Sequence, residues 1–91
     1  MEVRYTKQFL HKLEDIFAES EYVLRYEKGN FKAGYCVLKD TKMAIVNKYY
    51  TTDGKIHCLL EILKSIQIDL NALSDKNKKL LNELYQIKLE L

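Results

Sequence analysis

Cys36, His57, Cys58 and Glu61 are the residues of this chain best suited to chemistry. Two thiols, an imidazole and a carboxylate make a soft donor set of the kind that holds zinc. Their spacing argues against it. Structural zinc sites bring cysteines in Cys-x-x-Cys pairs, whereas His57 and Cys58 are adjacent and project to different sides of a helix. Free cysteines are commonly buried small hydrophobes, and that role is expected of both. His57 and Glu61 stand four apart, as do His11 and Asp15, a spacing that allows an ion pair once the imidazole is protonated. It would also place a general base, yet no nucleophile with a third orienting group accompanies either pair. The small zinc peptidases need His-Glu-x-x-His. Here the run reads His57-Cys58-Leu59-Leu60-Glu61, without the second histidine or the adjacent base.

Phosphate and nucleic acid are weighed next. Lys28-Gly29-Asn30 and Asp53-Gly54-Lys55 hold one glycine each, too few for a loop that cradles phosphate with backbone donors. Turn chemistry accounts for both. Arg25, Tyr26, Lys28, Phe31, Lys32 and Tyr35 interleave cations with rings, as sheets that bind single strands do. Glu21 and Glu27 lie in the same stretch, and the aromatic motif of the common RNA-binding sheet is absent. A nucleic-acid-binding hairpin using Arg25, Lys28 and Lys32 is therefore the alternative reading. No catalytic residue, cofactor or metal is assigned.

The elements that must position these residues belong to one domain spanning residues 1–91. With 47% apolar and 31% charged residues, the composition is neither that of a disordered chain nor that of a membrane protein. A net charge of +2 permits contact with nucleic acid without calling for it. The first residues, Met1-Glu2-Val3-Arg4, lack the apolar block of a secretory signal, and no run reaches the ~18 apolar residues of a membrane span. Two cysteines are too few for a disulfide framework, so both are expected as thiols in the cytoplasm.

Phe9, Leu10, Leu13, Ile16 and Phe17 form one helical stripe over residues 5–20, with Thr6 as N-cap. Residues 22–27, 31–38 and 42–49 read as three strands of an antiparallel meander. Gly29-Asn30 supplies the first tight turn and Lys39-Asp40-Thr41 the second. Alternation puts Tyr22, Leu24, Tyr26, Phe31, Tyr35 and Val37 on one face and Val23, Arg25, Glu27, Cys36 and Leu38 on the other. Met43 and Ile45 oppose Ala44 and Val46 on the third strand, and the second turn decides which pair joins which face. A second helix, capped by Thr52 or Asp53, carries Ile56, Leu59, Leu60, Leu63 and Ile66. Asp69 can cap a short turn, and Ser74 starts a last helix running toward Leu91.

In that last segment Leu70, Leu73, Asn77, Leu80, Leu84, Ile87 and Leu91 step by threes and fours, the seam of a paired coil with Asn77 fixing register. Leu81, Tyr85 and Leu89 widen the stripe, which suits a helix packed on its own domain. The fold class is thus α+β: a helix, a three-stranded antiparallel meander and two C-terminal helices packed on the sheet.

The string Tyr26-Glu27-Lys28-Gly29-Asn30-Phe31-Lys32-Ala33-Gly34-Tyr35-Cys36, followed by Ile45-Val46-Asn47-Lys48, resembles a group of small conserved bacterial proteins to which no activity is assigned. The resemblance implies a compact bacterial domain and carries over no catalytic residue, cofactor or substrate. Both sheet faces hold apolar or aromatic bulk, more than one helix layer covers. The expected role is a non-enzymatic protein-interaction module. It would pair with itself as a homodimer, or with another protein, through Tyr22, Tyr26, Phe31 and Tyr35 or through Leu84, Ile87 and Leu91.

Overall fold

A threonine three residues ahead of a free amide starts each of the two longer helices. In the computed structural model, which describes residues 3–86, Thr6 Oγ1 accepts from Phe9 N–H at 3.1 Å and opens α1 (Lys7–Glu19). Thr51 does the same for Gly54 N–H at 3.2 Å and opens α2 (Thr52–Ser65), one residue earlier than expected from Thr52 or Asp53. The stripe of α1 is buried as read, with Leu13 and Ile16 fully enclosed. On α2 the buried set widens to include Cys58 and Ile62, because this helix packs on both α1 and the sheet. Asp69 caps a short 3-10 turn at Leu70–Ala72. Ser74 Oγ then accepts from Asn77 N–H, and α3 (Asp75–Gln86) follows.

The sheet corrects the meander. Its strands are β1 (Val23–Glu27), β2 (Tyr35–Leu38) and β3 (Met43–Asn47), in the spatial order β1-β3-β2. β1 runs parallel to β3, and only β2 and β3 form an antiparallel hairpin. The physical reason lies in β3. Met43-Ala44-Ile45-Val46 is apolar on both sides, the signature of a central strand, while β1 carries Arg25 and Glu27 and is better suited to an edge. Residues 28–34 therefore do not close a hairpin at Gly29-Asn30. They cross the end of β3, where Asn47 N–H donates to the Gly34 carbonyl at 2.8 Å and Asn47 Nδ2 reaches the Gly29 carbonyl at 3.4 Å.

Gly34 takes the positive φ of 84° that ends this crossing, and a Cβ there would lie 2.2 Å from the Tyr50 ring. Only glycine meets both demands. The β2–β3 turn instead forces Lys42 to a φ of 52°.

Register settles the faces. Leu24, Ala44 and Val37 form one row and Tyr26, Val46 and Tyr35 the next, all on the side covered by α1 and α2. Val46 and Ala44 are sealed in the core there. No helix among the described residues is long and apolar enough to cross a membrane.

Candidate interaction surface

The same register builds the opposite side. Val23, Met43 and Leu38 form its first row, Arg25, Ile45 and Cys36 its second, and Glu27 and Asn47 its third. No described helix lies over these rows. Val23 is 54% exposed and Leu38 44%, at the two outer strands, while Met43, Ile45 and Cys36 are half-buried by their neighbours alone. The result is a continuous apolar strip across all three strands, bordered on β1 by Arg25 paired with Glu27 at 2.7 Å. Two exposed charges at that distance contribute little to stability, so the pair marks the strip without stabilising it much.

The residues expected to make contacts mostly serve the interior. Tyr22 is buried. Tyr26 is half-buried and donates its phenol proton to Glu14 on α1, with Lys55 lying 5.0 Å from its ring centre. Burial first, and Glu14 second, push the Tyr26 phenol far above its ordinary value, so it stays protonated as a donor. Burial first, and the neighbouring Glu61 second, raise the Tyr35 phenol as well. The Phe31 ring rests on Gly29, where a Cβ would come within 2.6 Å of it. Leu84 is buried with Asn77 and Leu81 on the inner side of α3, while Ile87 and Leu91 lie outside the described residues. The seam reading of this segment fails at its start, since Leu70 is exposed in the 3-10 turn. Of the cationic set, Arg25 is balanced by Glu27, and Lys28 and Lys32 stand exposed on the crossing segment.

The chemistry-bearing residues are divided by the sheet. Cys36 sits on the open side. Cys58 is on α2 beneath the other side, its thiol 3.7 Å from the Ala33 carbonyl. Burial, reinforced by Glu61, pushes Cys58 up to about 11, which leaves it a protonated thiol and a poor nucleophile at neutral pH. His57 Nε2 and Glu61 Oε1 meet at 3.1 Å, the pair that their spacing allows. Among the described residues no three His, Cys, Asp or Glu side chains converge in a way that could hold a metal ion.

A groove of about 460 Å³ runs between α1 and the outer edge of β1, lined by Glu14, Phe17, Ala18, Tyr22, Leu24 and Tyr26 among others. Sequence reasoning missed it. The available signal was the doubly apolar run of β3, which sends β1 to the edge. Comparison with protein-family models, with curated proteins and with solved structures finds no match for this chain.

Proposed function

We propose that this chain is a non-enzymatic protein-interaction module that associates with itself through the uncovered side of its sheet. One observation carries the reading: Val23, Met43, Leu38, Ile45 and Cys36 make an unbroken apolar strip with no described helix over it. Three-stranded sheets ordinarily turn a polar face to water. An apolar strip in its place marks a contact site. The last helix supports the choice of surface, because its apolar side is already spent on the core. The bacterial resemblance and a cytoplasmic setting, where Cys36 remains a thiol at the surface, belong to the same proposal.

Sedimentation at two concentrations tests it. The mass rises above that of one copy at the higher concentration. Ile45→Lys places an ammonium in the middle of the strip and lowers the mass reached, at a cost to the single folded copy of about 1 kcal/mol. A single-copy mass at both concentrations, or an Ile45→Lys profile identical to the parent's, overturns the reading.

A further inference from the structure

The groove beside β1 is where the sheet stops. Val23 N–H donates to the Lys42 carbonyl at 2.9 Å, and Lys48 N–H donates to the Glu27 carbonyl at 3.1 Å. A strand aims the backbone groups of successive residues at opposite edges. Val23, Arg25 and Glu27 therefore pair with β3, while Leu24 and Tyr26 turn their N–H and C=O groups into the groove. Among the described residues no other strand takes them. An edge of this kind is a template for another strand.

The charges on β1 select that strand. Antiparallel pairing requires Leu24 and Tyr26 to face residues of the same kind, which leaves few registers. Centred on Tyr26, the pairing sets Arg25 opposite the partner's Glu27 and Glu27 opposite the partner's Arg25. The registers on either side set Arg25 against Arg25 or Glu27 against Glu27, and like charges directly opposite are destabilising. β1 is thus its own complement in one register. β2, the other edge, carries no charged residue to select a partner.

Size points the same way. Three strands spaced ~4.8 Å apart and five residues long give a face of only about 14 by 16 Å. A stable interface needs ~800 Å² from each partner. A strand shared across the edge doubles the apolar strip and closes the groove from its open side.

We infer that a second copy of this chain adds its β1 antiparallel to the first, Tyr26 opposite Tyr26 on a two-fold axis, giving one six-stranded sheet. The inference rests on the self-association reading and names its edge contact. The strip then lies on one continuous face and stays free for the face contact.

The test uses the full chain carrying Ile45→Lys, in which the face contact is removed and the edge contact remains. The expected species is two copies, with the Tyr26 amide exchanging with deuterium more than about tenfold more slowly in concentrated than in dilute solution. Adding Arg25→Glu or Glu27→Arg to that chain gives single copies, because each sets like charges opposite one another. A one-to-one mixture of the two restores the pair, and the double swap R25E/E27R pairs with itself. Two-copy mass with an unprotected Tyr26 amide overturns the edge contact and leaves self-association standing. Failure of the mixture to pair overturns the register. A single-copy mass for the parent at every concentration overturns both.

Discussion

Asn77 shows how much one side chain carries here. It is 1% exposed, and its Nδ2 donates to Asp15 at 3.0 Å and to Glu19 at 2.8 Å, tying the start of α3 to the end of α1. Asn77→Ala removes both charge-assisted bonds and the packing of a buried amide, while Asp15 and Glu19 remain in contact with water. The expected loss is about 1–3 kcal/mol. It is read as a lower urea midpoint with an unchanged slope. Glu19 gives this clamp a pH dependence. It accepts Ser74 N–H at 3.0 Å as well as Asn77, and the Ser74 bond, followed by the Asn77 bond, holds its carboxyl below the ordinary value. A carboxyl depressed in the folded state stabilises fully above its unfolded value and loses that contribution as pH falls through the folded one. Unfolding midpoints of the parent and of Glu19→Gln, compared at neutral and acid pH, therefore converge on the acid side. Asn77 stood out in the sequence as a polar residue in an apolar repeat, the mark of a register residue in a paired coil. That its partners are Asp15 and Glu19 was not legible, since only the packing of α1 on α3 brings them together.

At the scale of elements, the helices were read well and the sheet was not. Helices follow from local terms: a cap and a 3.6-residue stripe, both visible in Thr6 and in Phe9 through Phe17. Strand pairing is non-local. Gly29-Asn30 has the chemistry of a hairpin turn, yet the competition for the central position went to β3, whose two apolar sides are worth more inside than at an edge. The residue that makes the crossing possible is Gly34. An alanine there must adopt a φ of 84° and push Tyr50 from contact. Gly34→Ala is expected to cost about 1–3 kcal/mol. Thermal unfolding followed by circular dichroism checks it, and an unchanged midpoint would show that the crossing relaxes freely.

Among the described residues, α1 and α2 seal one side of the sheet and α3 closes against α1, and no described helix covers the other side. The proposed pairing links stability to concentration. Binding between folded copies stabilises them by mass action, so the parent's thermal midpoint rises with protein concentration. Ile45→Lys combined with Arg25→Glu removes both contacts, and its midpoint stays flat across the same range. A midpoint equally flat for the parent would assign the strip to something other than a second copy.

The sequence by itself determined the three helices, the caps at Thr6, Asp69 and Ser74 and the existence of spare apolar area, because each depends on residues close along the chain or on composition. Tertiary structure decided the order of the strands, and with it which tyrosines are interior, which thiol is enclosed and which edge lies open. Those outcomes turn on which of several chemically acceptable neighbours wins a place beside β3, a contest settled by the total surface buried and not by any one segment's preference.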